Sequence, residues 1–123
     1  MLRGAPWLPR KVRILFDQGT PVPLRQFLTQ HEVVTAYERG WAMLTNGQLL
    51  AVAESEGFAV FVTTDTRLKY QQNLSARRIA IVVLSTPSWL RIQNAVEKIV
   101  RVIETATDAT YFRGRDSLKA RTQ

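Results

Sequence analysis

The sequence predicts an α/β domain built on a mostly parallel sheet with helices on both faces. Three observations predict it: strongly apolar runs that alternate with helical patterns, two of those runs stopping on an aspartate, and a length of 123 residues that suits one domain. Runs that are apolar almost throughout, rather than at every second residue, belong to strands covered on both faces.

The elements follow in order. Lys11-Val-Arg-Ile-Leu-Phe-Asp17 reads as a strand ending on an acid. Gln18 to Pro23 is a turn, where Thr20 is placed to cap a short helix with Pro21 or Pro23 in its first turn, and Leu24, Phe27 and Leu28 share one face. His31 to Ala36 reads as a second strand. Tyr37 to Leu44 is irregular and carries Tyr37 and Trp41. Thr45 and Gln48 form a capping box for a helix to about Glu56, closed by Gly57. Phe58 to Thr64 is the clearest strand and runs into Asp65. Thr66 to Ser75 reads as a short helix or turn. Ile79 to Leu84 is a fourth strand. Thr86 and Pro87 open the longest helix, to about Thr105, with Trp89, Ile92, Val96, Ile99, Val100 and Ile103 at helical spacing. Thr110 to Arg113 reads as a last edge strand.

Composition narrows the function. Without cysteine there is no disulfide framework, thiolate metal site or cysteine nucleophile, which suits a reducing cytoplasm. No stretch has the roughly 18 uncharged apolar residues of a membrane span, and the first residues have no apolar core for a signal peptide. The net charge of +7 lies wholly in the ends: Arg3, Arg10, Lys11 and Arg13, then Arg113, Arg115, Lys119 and Arg121 against Asp116. These ends read either as an attraction for a polyanion such as RNA or as solvated tails, about residues 1–10 and 113–123, around a core at 11–112.

Asp17 and Asp65 carry the chemistry. Each follows a buried strand, so in a parallel sheet both emerge on one rim, and if the strands are neighbours their backbones lie ~4.8 Å apart. Carboxylates that close repel unless a cation lies between them. Hard oxygen ligands suit Mg2+ or Mn2+, which can polarise a phosphate oxygen and activate water. Asp65 can also be read as a helix cap. Thr63 and Thr64 can bond a metal-bound water or local backbone. Arg67 and Lys69 can meet phosphates or simply face solvent. Gln71, Gln72 and Asn73 can bond nucleotides or cap backbone groups. Thr86 reads as a cap, with Ser85 beside it. His31 has no Ser or Cys partner in a recognisable motif and is set aside as an acid–base group. Trp41 and Tyr37 can stack on a base or bury against a partner, and core packing of at least one of them is the default expectation.

Ile14-Leu-Phe-Asp17, Asn46-Gly-Gln-Leu-Leu-Ala-Val-Ala-Glu54, Gly57-Phe-Ala-Val-Phe-Val-Thr-Thr-Asp65 and Tyr70-Gln-Gln-Asn-Leu74, in that order and spacing, resemble the PIN-like family. More specifically, they resemble the short, VapC-related toxins of bacterial toxin–antitoxin pairs, over roughly residues 11–112. The resemblance implies a Rossmann-like three-layer α/β/α sandwich with a sheet of four or five strands. It also implies a Mg2+- or Mn2+-dependent ribonuclease, an RNA substrate, an antitoxin partner and a homodimer. Asp17 and Asp65 would bind the metal directly. The family places a further acid near the start of the middle helix, where this chain has Asn46 and, nearby, the equally neutral Gln48. Glu54 lies two turns on, ~12 Å along the axis, so Asn46 and Glu54 cannot both touch one ion. Which of the two faces the rim is open at this point: Glu54 reads first as a solvated helix residue, and Asn46 reads equally as a helix cap or a site residue.

Two other functions compete. One is a PIN-like binding module without catalysis, motivated by Asn46 and Gln48. The other is a phospho-acceptor receiver, with Asp65 as acceptor and Ser85 or Thr86 as the hydroxyl. A receiver also needs an acidic pair after the first strand, where this chain has Asp17-Gln18, and a lysine after a fifth strand, where Arg113 is the nearest basic residue.

Overall fold

Four of the apolar runs pair into one parallel sheet in the order β2-β1-β3-β4. The computed structural model describes residues 11–68 and 77–115, with 108–115 as backbone. The strands are β1 (Arg13–Phe16), β2 (Glu32–Thr35), β3 (Val60–Thr63) and β4 (Ala80–Val83). β1 pairs with both β2 and β3, in registers that set Phe16 beside Thr35 and Val62. The chain therefore leaves β1 in one direction to reach β2 and resumes on the other side of β1 with β3. This reversal is the switch point at which parallel α/β sheets open a crevice beyond the carboxyl ends of their strands.

Side-chain alternation along the strands builds two cores. Ile14, Phe16, Val60, Val62 and Val82 join Leu24, Ile92 and Ile103 in one cluster. Leu15 and Phe61 join Leu49, Leu50 and Ala53 in the other. The second core lies under α1 (Asn46–Ser55). The first takes a 3-10 helix (Val22–Phe27) and the helices α2 (Trp89–Asn94) and α3 (Val96–Arg115). The capping box forms as its residues predict. Thr45 Oγ1 accepts from the Gln48 N–H at 3.2 Å, and Gln48 Oε1 accepts from the Thr45 N–H at 3.0 Å. Gly57 ends the segment at φ +86°, a conformation that a side chain would strain. Among the described residues, no helix is long and apolar enough to cross a membrane.

Three details differ from the sequence reading. The long helix is broken at Ala95, where φ −119° and ψ 22° leave the helical range, and the cap that opens it is Ser88, whose Oγ accepts from the Arg91 N–H. Thr86 instead accepts from the Ser88 N–H at 3.1 Å, bracing the turn before the helix. The second difference is Thr110–Arg113, which is helical and part of α3. Its β-branched and aromatic residues favour strands, but adding turns to an existing helix makes one hydrogen bond per residue fixed, whereas a new edge strand would need a partner. Arg113 thus lies within a helix, and no fifth strand precedes it among the described residues. The third is Thr20: the 3-10 helix has Pro21 at its cap with no side-chain bond, and the Thr20 hydroxyl is used elsewhere.

Candidate active site

Asp17 extends the ladder of β1 by one residue, its N–H donating to the Val62 carbonyl at 3.0 Å. That places it at the C-terminal rim, opposite Thr63, the last residue of β3. Both share the parity of Leu15 and Phe61, so their side chains leave the sheet on the face of α1. Two threonines hold the Asp17 carboxylate. The Thr20 hydroxyl lies 2.7 Å from Oδ1 and 3.0 Å from the Val62 carbonyl, and the Thr63 hydroxyl donates to Oδ2. Thr20 and Thr63 are buried, and Thr63 has no exposed surface.

Thr63 also ties the two acids together. While its hydroxyl donates to Asp17, its oxygen accepts from the Asp65 N–H at 3.0 Å. The Asp65 side chain then folds back, Oδ1 accepting from the Arg67 N–H at 3.0 Å and Oδ2 from the Asn46 amide at 2.8 Å. The Leu68 N–H donates to the Asp65 carbonyl at 3.1 Å. Asp65 is therefore both the cap of the following turn and a rim acid, the two roles its sequence position allows. The Arg67 N–H and, after it, the Asn46 amide stabilise the charged form and hold the Asp65 carboxyl below the ordinary aspartate range.

Asn46 reaches the rim because α1 connects β2 to β3, two strands that run the same way. A helix in that position runs back across the sheet, so its first residue lies at the C-terminal rim and its last turn at the other. Glu54 accordingly does not join the aspartates. Its carboxylate accepts from the N–H groups of Arg78 and, at 3.1 Å, Ile79, and pairs with Arg77 at 3.2 Å, pinning the chain where it enters β4. Burial pushes the Glu54 carboxyl up, and these donors together more than offset it, so it titrates below the ordinary glutamate value of 4.5.

A carboxyl depressed in this way adds stability above its unfolded pKa and loses it as pH falls through the folded one. Glu54→Ala is thus expected to cost about 1–3 kcal/mol at neutral pH by leaving two backbone donors without their acceptor. It should also flatten the loss of stability between about pH 5 and 3, as read by urea unfolding, and leave any activity of the rim intact.

The other candidates sort by position. Thr64 lies against the Asp17 loop: a Cβ on Gly19 would stand 2.5 Å from Thr64 Oγ1, so only glycine fits there without moving the hydroxyl. Arg67 reaches the site by its backbone, while its guanidinium, with the side chain 78% exposed, is 4.0 Å from Asp65 Oδ1 and open to an incoming phosphate. Lys69, Gln71, Gln72 and Asn73 lie outside the described residues. His31 is fully buried, its Nδ1 accepting from the Val12 N–H and its Nε2 facing Glu104, a structural pairing beside the start of β2.

The partner of Asp17 that the sequence reading missed is Thr20, and it under-weighted Thr63. A hydroxyl at the last position of an otherwise apolar strand was the available signal for Thr63, while Thr20 is linked to Asp17 only through the fold of its loop.

The two carboxylates offer oxygen donors of the kind that a hard divalent cation takes. Each of the four carboxylate oxygens accepts one hydrogen bond and keeps a second lone-pair direction. Oxygen donors of this kind suit Mg2+ or Mn2+, which retain waters in their remaining positions. Among the described residues, no three or more His, Asp or Glu side chains come together as a metal-holding group. No family model, curated protein or solved structure matches the chain.

Proposed function

We propose that this chain is a metal-dependent ribonuclease of the PIN-like type, acting as the toxin of a bacterial toxin–antitoxin pair. The observation that carries the chemical part is the Thr63 hydroxyl joining Asp17 and Asp65 at the switch point of a parallel sheet. The toxin role rests on the resemblance of Ile14–Asp17, Asn46–Glu54 and Gly57–Asp65.

In this reading Asp17 and Asp65 hold Mg2+ or Mn2+. Bound there, the cation would polarise a phosphate oxygen and lower the pKa of a water. The protein's own contribution is positioning. Thr20 and Thr63 fix the Asp17 carboxylate in one rotamer, and Asn46 with the Arg67 N–H does the same for Asp65. Arg67 presents a guanidinium to the RNA backbone. Incubating the full chain with RNA and Mn2+ or Mg2+ tests the reading: cleavage should appear, stop with chelator and return with added metal.

A binding module that acts through a protein partner is the second reading, and Asn46 favours it. The amide donates to an oxygen of Asp65 where an acid would share a cation with it. Asn46→Asp separates the two. Without metal it replaces a 2.8 Å hydrogen bond by two like charges, so the variant should melt lower than the parent. With Mn2+ the order should reverse, and cleavage should rise if the parent site is merely weakened. A variant that melts at the same temperature with and without Mn2+ would favour the binding module.

A further inference from the structure

His31 is a buried titratable group that the rim site does not use. Its side chain has no exposed surface. The backbone N–H of the same residue donates to the Leu28 carbonyl at 3.0 Å, which fixes it just ahead of β2. The ring bridges two distant parts of the chain. Nδ1 faces the Val12 N–H at 3.1 Å, at the entry to β1, and Nε2 lies 3.0 Å from both carboxylate oxygens of Glu104 in α3.

These partners dictate where the protons are. A backbone N–H only donates, so Nδ1 accepts and carries no proton. Nε2 carries the single proton of the neutral ring and donates it to Glu104. A second proton has only Nδ1 to go to, where its N–H would point at the Val12 N–H. The two arms of the ring then respond in opposite ways. The Val12 bond is lost, while the Glu104 bond joins opposite charges and gains strength. The charges on the neighbouring elements are occupied elsewhere. Arg13 of β1 and Glu32 of β2 pair with each other at 3.4 Å, and Arg25 of the 3-10 helix is bound by Glu38 at 2.9 Å. Among the described side chains, Glu104 is the charged group that the ring meets, and Gln30 steadies it with a bond of 2.9 Å.

Independently of the ribonuclease reading, we propose that His31 is a pH-sensitive clasp on the entry to β1. Imidazole is the side chain whose charge ordinarily changes between about pH 5 and 8. At the upper end of that range both arms are closed. A proton taken from solvent at Nδ1 releases the N–H of the peptide between Lys11 and Val12, while α3 stays held to the start of β2. The release is local, because the Val12 carbonyl keeps the Glu32 N–H at 3.0 Å. What opens is the end of β1 through which the chain enters the sheet.

Nitrogen-15 NMR and amide exchange of the full chain, followed from about pH 8 to 5, test this. At the alkaline end the His31 ring should show Nε2 protonated and Nδ1 bare. As the ring takes its second proton, the exchange protection factor of the Val12 amide should fall by about 2- to 12-fold, the worth of one neutral hydrogen bond, while that of the Glu32 amide holds. His31→Gln places an amide where Nε2 stood and nothing where Nδ1 stood. It should show the low Val12 protection throughout the range. His31→Asn places its side-chain carbonyl near the old Nδ1 position and should keep the high value throughout. The titration of the unaltered chain decides the matter even if neither variant folds. A ring with Nδ1 protonated at the alkaline end, Val12 protection that does not change as the ring charges, a ring that stays neutral across the whole range, or loss of protection at every amide in step with His31 would each overturn the proposal.

Discussion

On the proposed ribonuclease reading, Asp17→Asn and Asp65→Asn will each reduce metal-dependent RNA cleavage by about 100-fold or more, because a directly bound ligand is worth more than the ~10–100-fold that its outer partners contribute. Asparagine is the informative replacement. At position 17 its carbonyl can keep the Thr63 hydroxyl, and its amide can donate to Thr20, whose own proton then goes to the Val62 carbonyl 3.0 Å away. The network survives while the charge is lost. At position 65 the new carbonyl can keep the Arg67 N–H, and the hydrogen bond with Asn46 re-forms only if the Asn46 amide turns over. Alanine would confuse the result at position 17, since it strands the fully buried Thr63 hydroxyl at a cost of about 1–3 kcal/mol. Initial cleavage rates beside melting curves check the prediction: the rates should collapse while the melting temperatures of the Asn variants stay near that of the parent.

The largest effect on stability will come from Phe61→Ala, with an expected loss of about 3–5 kcal/mol in urea unfolding. Phe61 is the second residue of β3 and has no exposed surface. It packs with Leu15 of the neighbouring strand and with Leu49, Leu50 and Ala53 of α1, so the cavity it leaves lies between the sheet and the helix that carries Asn46. Domains of this kind are stable by only about 5–15 kcal/mol, so the variant gives up a large part of the margin. Val83→Ala is the control. Val83 is on the edge strand β4 and 39% exposed, and its replacement should cost about 0.5 kcal/mol or less. Equal losses at the two positions would contradict the placement of β3 in the centre of the sheet.

The strands were legible because burial on both faces leaves a continuous apolar run, and Asp17 and Asp65 because such runs end visibly. The start of α1 was legible because Thr45 and Gln48 satisfy each other's backbone within four residues. What could not be read depended on contacts distant in sequence. The apolar positions Trp89, Ile92, Val96, Ile99 and Ile103 keep helical spacing through Ala95, so spacing alone gives no sign of the break there. Thr110–Arg113 has strand-favouring residues whose fate is set by the helix before them. Thr20 looked like a cap because Pro21 and Pro23 follow it, yet its partners are a carboxylate in the preceding turn and the Val62 carbonyl, 42 residues away. The choice between Asn46 and Glu54 was available in principle. Once β2 and β3 are parallel, the helix between them must begin at the rim where the strands end, and Asn46 is its first residue.

Titration of Mn2+ into the full chain, followed by calorimetry or by the loss of free-ion electron paramagnetic resonance, tests the central claim that Asp17 and Asp65 jointly hold a hard cation. The predicted result is a single ion per chain whose affinity falls at least about tenfold in Asp17→Asn and in Asp65→Asn, rises in Asn46→Asp and is unchanged in Glu54→Ala. Undiminished binding in both aspartate variants, or loss of binding in Glu54→Ala alone, would contradict it.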